Sequence, residues 1–231
     1  EPMTTDHHDA RHRFAGELDE IKTGMLELGA LVLENTRRMA EALLDNRLDL
    51  ARTVVGADEE IDQHYARLEF RVFEIMARQQ PVAGDLRFLV ASTRILYEIE
   101  RSGDLAVNGA KGLLRREGYT MPPAIHSLVA RLARGSTELF ARGLEALRNL
   151  DPNAASAIDR ADDDVDAVVG ELYHLIGRNS DNIGFDLAIE LSRIGRYMER
   201  IGDHAVNIAE HVTFVVTGAF PGSAELKDEG G

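Results

Sequence analysis

A nine-residue sequence occurs twice in this chain, and this repeat limits the folds that the chain can adopt. The copies read Glu-Arg-Ser-Gly-Asp-Leu-Ala-Val-Asn from Glu100 and Glu-Arg-Ile-Gly-Asp-His-Ala-Val-Asn from Glu199, with seven of nine positions identical. In each copy Glu, Asp and Asn are four residues apart, so on a helix all three lie along one face. Like charges at this spacing weaken an isolated helix. The repeated choice indicates that a cation binds there.

The similarity extends well beyond the nine residues. Residues 57–62 align with 161–166 at an offset of 104, whereas the nine-residue copies are 99 apart. The difference means that the first repeat has additional residues between its second and third helices. We expect them in a loop around 79–85, because Pro81 and Gly84 favour a loop.

Each repeat has the hydrophobic periodicity of three long helices. Apolar residues recur at spacings of three and four, most clearly in the series from Leu187 to Val215. Spacings of this kind predict left-handed, knobs-into-holes packing between long helices. No segment has the alternation of a strand. The sequence therefore predicts an all-α fold of two tandem three-helix bundles, related by internal duplication and containing six long helices.

The predicted repeats are separated by one linker. The segment 117–123 contains Gly and two Pro residues and interrupts the helical pattern. We therefore expect the first three-helix repeat at 11–117 and the second at 122–218. Residues 1–10 and 219–231 are expected to be mobile ends, since the second of these segments is polar and rich in Gly.

The composition excludes several classes of protein. The 231 residues include no cysteine, so a bound metal would have oxygen or imidazole ligands. The net charge of −14 opposes binding to nucleic acid and to an anionic membrane surface. No apolar stretch approaches the length of about 18 residues that a membrane span needs, and no secretion signal is visible. We therefore expect a cytoplasmic protein that is not inserted in a membrane.

Four acidic pairs with the spacing Glu/Asp-x-x-x-Asp stand at equivalent places in the two repeats. These pairs are Asp58/Asp62, Glu100/Asp104, Asp162/Asp166 and Glu199/Asp203. They flank the apolar faces of the second and third helices. Carboxylates together with an amide oxygen suit magnesium, calcium, manganese, iron or zinc. We predict that the acids of each repeat converge on metal, and that two adjacent helices could hold more than one ion.

Two other interpretations of the acidic residues remain open at this point. Acidic residues on helices usually form solvated faces, so the two repeats could instead duplicate an acidic surface on which another protein docks. A ferritin-like di-iron oxidase needs two Glu-x-x-His motifs, and the chain has one, from Glu171 to His174. A redox enzyme is therefore not expected.

Some residues near these motifs allow weaker predictions. His204 and His211 lie seven apart on the last helix and could add nitrogen ligands, although repeat one has no counterpart. Asn35 lies in the apolar face of the first helix and is expected to be a buried amide that sets the register. Gly103 and Gly202 precede the Asp of the nine-residue sequence. They favour either close helix contact or backbone clearance near a cluster.

These features resemble the PhoU family of phosphate-regulon regulators. The resemblance rests on the two three-helix repeats, the paired acids and the Glu-Arg-x-Gly-Asp-x-x-x-Asn sequence, and it covers residues 11–218. The opening Arg13-Phe14 followed by Glu17-Leu18 is also similar to the family's usual start. The resemblance implies multinuclear iron or zinc clusters, and magnesium or manganese would also suit the ligands. The implied ligands are Asp58, Asp62, Glu100, Asp104, Asn108, Asp162, Asp166, Glu199, Asp203 and Asn207.

The resemblance also implies a function that is not enzymatic. Members of the family act as cytoplasmic, often dimeric, negative regulators of phosphate-starvation signalling. The implied partners are the ATPase of the phosphate transporter (PstB-like) and a phosphate sensor kinase (PhoR-like), between which this chain would be an adaptor. The alternative is a carboxylate-rich helical module for metal storage or a metallo-enzyme module.

Overall fold

The computed structural model describes residues 3–79 and 81–219, and their side chains from Arg11 onward. This part of the chain contains no strand. It forms the helices α1 (Met3–Leu44), α2 (Leu48–Gly56), α3 (Asp58–Gln79), α4 (Ala83–Arg115), α5 (Pro123–Asn149), α6 (Ala154–Ile183) and α7 (Phe185–Thr217). Six of these helices are long and one, α2, is short. The prediction of a duplicated all-α fold with six long helices is confirmed.

The second helix differs between the repeats. In repeat one it is divided at Ala57 into α2 and α3, whereas its counterpart α6 is continuous. The Ala57 amide still donates to the carbonyls of Thr53 and Val54, at 3.1 and 3.3 Å, so few hydrogen bonds are lost. Gly56 precedes the division and has a poor helix propensity. The equivalent residue of α6 is Arg160, which favours an uninterrupted helix.

The loops lie close to their predicted positions. The additional residues of repeat one fall between Gln79 and Ala83, the end of α3 and the start of α4, whereas Gly184 alone separates α6 from α7. The limits 11–117 and 122–218 stay predictions, as does the mobility of the ends. Residues 1–2 and 220–231, and the side chains of residues 3–10, lie outside the described part of the chain.

The two repeats pack against each other through α4 and α7, which are the third helices of the two repeats. Glu98 contacts His204, and Gly112, further along α4, packs against Glu190, which is nearer the start of α7. The two helices are therefore antiparallel. α1 packs against α5. Among the described residues, α3 packs only on repeat one and α6 only on repeat two. Two equivalent halves are thus related by an internal two-fold arrangement, with α3 and α6 on the outside.

The predicted apolar faces form the core. Asn35 is 2% exposed, and its Nδ2 donates to the carbonyl oxygen of Val54 at 3.2 Å. The prediction of a buried amide is therefore confirmed, and this amide joins α1 to α2. Buried members of the series on α7 are Leu187, Leu191, Ile194, Met198, Ile201, Ala205, Ile208 and Val212. Among the described helices, none is both long enough and apolar enough to cross a bilayer.

Candidate metal centre

Three carboxylates of repeat one meet between α3 and α4. One oxygen each from Asp58, Asp62 and Asp104 lies within 4.8 Å of the other two. Asp58 and Asp62 are one turn apart at the start of α3, and Asp104 is in the middle of α4. Packed helices are about 8–10 Å apart, so these short side chains reach across the gap. We refer to Asp58, Asp62, Glu100 and Asp104 as cluster one.

Glu100 and Asn108 occupy the turns of α4 on either side of Asp104. Glu100 is half-buried, and burial, reinforced by the charge of Asp104, raises its pKa to about 7. Asn108 is exposed. The structure therefore places Glu100 in the electrostatic field of the acids, and Asn108 at the exposed rim of the cluster.

Two cations lie against cluster one. Lys111 Nζ is 3.4 Å from Asp58 Oδ2, and Arg101 Nη1 is 2.8 Å from Asp104 Oδ2. Burial and the charges of Asp58 and Asp104 raise the pKa of Asp62, and Lys111 partly offsets this rise. The two cations therefore neutralise part of the charge on the acids. The sequence alone did not identify Lys111 as a neighbour of these acids. The repeat alignment contained a signal for it, because it pairs Lys111 with an acid of repeat two.

The equivalent acids of repeat two are Asp162, Asp166, Glu199 and Asp203, which we call cluster two. Asp162 is 8% exposed, and its Oδ1 is buried without a hydrogen-bond partner. This oxygen occupies the space beside Gly202, where any Cβ would collide with it. Gly202 therefore provides backbone clearance for a carboxylate. Gly103 differs, because an added Cβ there would make only an ordinary van der Waals contact, 3.4 Å from Val32 Cγ2, so neither close contact nor clearance requires a glycine.

The acids of cluster two act on one another. Burial raises the pKa of Asp162 to about 7, with Asp166 and Asp203 adding to the rise. Burial and the charge of Glu199 raise the pKa values of Asp166 and Asp203. Arg196 Nη1 is 2.6 Å from Glu199 Oε1. Among the described residues, however, no three acids of cluster two are as close together as the three of cluster one.

Three other candidate ligands of repeat two take different positions. Asn207 is half-buried, one turn beyond Asp203. His204 is buried, and its Nδ1 contacts the carboxylate of Glu98 across the α4–α7 interface. His211 is half-buried, and burial lowers its pKa. His204 thus joins the two repeats, which sequence reasoning did not foresee.

The residues of the two clusters fit a metal ion with oxygen ligands. In cluster one the oxygens already converge, and in cluster two a buried carboxylate oxygen has no partner. A buried polar atom without a partner is costly, and a cation beside it would remove that cost. Carboxylates without thiolates suit hard and borderline ions, with no preference for one of them.

The metal-free protein is expected to be more stable at about pH 5 than at about pH 8. The raised pKa values of Glu100 and Asp162 mean that the folded state retains protons which the unfolded chain releases above about pH 4. The free energy of unfolding should therefore fall as the pH rises from about 4 to about 7. The loss of unfolding free energy that comes from Asp162, the more buried group, is roughly 2–3 kcal/mol. Urea unfolding at the two pH values, in the presence of a chelator, measures this difference in stability.

A substitution of one acid isolates this pH effect. Asp162→Asn should remove the part of the difference that comes from Asp162, roughly 2–3 kcal/mol, because the amide does not ionise, and the part from Glu100 should remain. Asp181→Asn changes an exposed acid of the same helix and should leave the difference in place. An equal pH dependence in wild type and Asp162→Asn would contradict the assignment.

The fold and the site together define a class: duplicated helical proteins that have one carboxylate cluster in each half. The PhoU domain family model matches residues 25–113 and 129–212, which include the described acids of both clusters. The chain therefore belongs to the PhoU family. This is a family of regulatory accessory proteins, not of enzymes, as the sequence predicts.

Relatives cover almost the whole chain. A Mycobacterium leprae protein named phosphate-specific transport system accessory protein PhoU homolog 1 is 34% identical over 213 residues, 92% of this chain and 95% of the relative. A Synechocystis PhoU homolog is 32% identical over 209 residues, 90% and 93% of the two chains. The crystal structure of PhoU from Pseudomonas aeruginosa matches with a TM-score of 0.84 and 26% identity, covering 89% of this chain and all of that one.

Proposed function

We propose that this protein is a metal-binding regulator of phosphate uptake. The observation that carries the proposal is the match, over nearly all of the chain, to relatives named as accessory proteins of the phosphate-specific transport system. The converging carboxylates of cluster one and the unpartnered oxygen of Asp162 support the metal-binding part.

The acids of each repeat would hold the metal. In repeat one the ligands are Asp58, Asp62, Glu100 and Asp104, with Asn108 at the rim. In repeat two they are Asp162, Asp166, Glu199 and Asp203, with Asn207. Divalent or trivalent ions suit these groups, with iron or zinc favoured by the family and magnesium or manganese compatible with the oxygens. A bound cation would supply positive charge on an otherwise acidic surface.

The regulator would act as an adaptor. We propose that, as a cytoplasmic homodimer, it contacts the transporter ATPase (PstB-like) and a phosphate sensor kinase (PhoR-like), and restrains phosphate-starvation signalling. Large apolar side chains on its surface support a role in protein contacts: Phe70 is 71% and Phe185 is 78% exposed. Isolated exposed apolar residues are common on proteins, but aromatic residues are enriched at interfaces. The net charge of −14 opposes nucleic acid as a partner.

Pull-down of the tagged full chain tests the adaptor. Cells grown with and without phosphate should yield the transporter ATPase or the kinase, with different recovery in the two conditions. A variant with Asp104→Asn and Asp203→Asn tests whether the metal clusters are needed for that recovery. Recovery of neither partner in either condition would contradict the adaptor mechanism while leaving metal binding intact.

The second candidate is a helical metal-storage or metallo-enzyme module. It is favoured by one observation, the close approach of three carboxylates in cluster one. The metal-loaded protein would then turn over phosphate esters or oxygen, or take up many ions per chain. Absence of turnover, together with a small fixed number of ions, supports the regulator.

Phosphate itself is expected to bind the metal-free protein weakly. The net charge of −14 repels an anion, and both cations of cluster one already face carboxylates. Calorimetric titration with a chelator present should show no affinity tighter than about millimolar. Micromolar binding would prove the expectation wrong. Binding that appears only after metal addition would support a metal-mediated anion site.

A further inference from the structure

We propose that Lys111 is a built-in counterion of cluster one, which competes with metal, so that cluster two is loaded first. The inference rests on the proposed metal-binding function and concerns residues outside the predicted ligand set. It makes the two halves of the protein unequal sites, filled at different concentrations of free metal.

Lys111 occupies a position from which it acts directly on cluster one. It follows Asn108 by one turn on α4, and its ammonium nitrogen is 3.4 Å from Asp58 Oδ2. Asp58 is one of the three acids whose oxygens lie within 4.8 Å of one another. An ammonium group at this distance attracts the same carboxylate oxygens that a metal ion would bind. A metal ion must therefore displace Lys111, or bind beside its charge.

Repeat two has the opposite charge at the equivalent position. The offset of 99 residues that aligns Asp104 with Asp203 also aligns Lys111 with Glu210. Glu210 is half-buried, and burial together with the charge of Asp159 raises its pKa. Asp159 also acts on Asp162. The acidic field around cluster two therefore extends to Glu210, where repeat one has a cation.

The remaining cations do not cancel this difference. Arg101 bonds to Asp104 in repeat one, and Arg196 bonds to Glu199 in repeat two, where Arg200, the counterpart of Arg101, also acts on Asp203. Arg196 stands where repeat one has Tyr97, and the additional acid Asp159, which acts on Asp162, stands where repeat one has Val55. These two changes offset each other, so the exchange of Lys111 for Glu210 remains a change of two unit charges. The charge of Lys111 also accounts for the close approach of the three acids of cluster one, since an internal cation reduces their repulsion without metal. In cluster two, Asp162 Oδ1 is left without any partner.

Two effects of Lys111 on metal affinity oppose each other. Converged oxygens favour binding by reducing reorganisation, whereas the ammonium opposes it by competition and repulsion. Affinity in carboxylate sites follows the number of charged ligands as well as rigidity. A charge near a divalent ion at the half-exposed rim changes affinity by roughly tenfold, and here the charge is reversed. The charge effect therefore decides the order of loading.

Titration with Mn²⁺, followed by the electron paramagnetic resonance of the free ion and by calorimetry, tests the order. Wild type should show two classes of site, with Kd values that differ by roughly tenfold or more. Asp203→Asn should remove the tight class and Asp104→Asn the weak class. Lys111→Met should tighten the weak class roughly tenfold. Glu210→Lys should weaken the tight class by a similar factor.

Lys22→Met is the matched control. It makes the same change on α1, near Gly24, which packs against Leu68, about ten positions along α3 from Asp58. Both Kd values should remain as in wild type. Two classes that are unchanged by Lys111→Met and by Glu210→Lys would overturn the loading order while leaving metal binding in place. No Mn²⁺, iron or zinc binding by any of these proteins would overturn both the order and the proposed function.

Discussion

Metal ions are expected to raise the melting temperature of the wild-type protein by roughly 10–20 °C. Each cluster gathers acids that repel one another in the folded state but are far apart in the unfolded chain. An ion that binds only the folded site stabilises it by about 2.7 kcal/mol at a hundredfold excess over Kd. Two sites double this effect, and each kcal/mol shifts the melting temperature by about 2–4 °C in a chain of this size. Thermal unfolding with chelator and with iron, zinc, manganese or magnesium measures it.

The double variant Asp104→Asn and Asp203→Asn should lose most of this gain. It removes one ligand from each cluster while keeping the side-chain shape. Without metal it should be as stable as wild type or more stable, because a repelling charge has gone from each cluster. Asp104 and Asp203 would not be ligands if the double variant gained as much as wild type. No shift with any of the four ions would favour the acidic docking surface.

Gly143→Met is expected to destabilise the protein by about 3 kcal/mol, at the upper end of overpacking. Gly143 lies on α5 against the backbone of α7, where its Cβ would be 3.1 Å from the carbonyl oxygen of Ala205. Backbone atoms cannot rotate away as a side chain can. Gly177→Ala on α6, where no atom lies within 4 Å of the added Cβ, should instead stabilise by up to about 1 kcal/mol. Urea unfolding of both variants measures the difference.

A second substitution shows whether the Gly143 effect comes from packing. In repeat one, Met39 is equivalent to Gly143 and packs on Gly109, whose own counterpart is Ile208. Ile208→Gly together with Gly143→Met therefore recreates the repeat-one combination in repeat two. The loss of unfolding free energy in the double variant should be smaller than the sum of the two single losses by about 1–3 kcal/mol. Strict additivity would show that the two positions do not share one packing space.

The sequence predicted the helices well because their apolar faces are continuous. A series with spacings of three and four, such as that from Leu187 to Val212, forms one apolar face on a helix. That face is buried when the helix packs against its neighbours. The division at Ala57 was missed, because local propensity at Gly56 decides it and the periodicity continues across it. The paired change in packing was also not predicted: Met39 packs on Gly109 in repeat one, and the equivalent positions of repeat two hold Gly143 and Ile208. In the sequence, each of these two differences looks like an isolated departure from the repeat.

The acids of the candidate site were predictable, but their surroundings were not. Four-residue spacing on a helix fixes the face of Asp104, and the repeat alignment fixes its counterpart. The contacts of Lys111 and Glu98 depend on which helices pack together and on their relative shift along the helix axes. No local sequence pattern contains that information. The burial of Asp162 depends on the space beside Gly202 in a different helix.

The antiparallel pairing of α4 with α7 makes the single chain resemble a dimer whose two subunits have been fused. In an isologous interface, residue i of one subunit contacts residue j of the other, and j contacts i. The contact of Glu98 with His204 breaks this rule, because the symmetric positions hold Tyr197 and Leu105. Two copies of repeat one would therefore bury Glu98 against leucine, at the expense of an unpaired charge. The two halves are complementary to each other rather than to themselves, so each specifies the other as its partner.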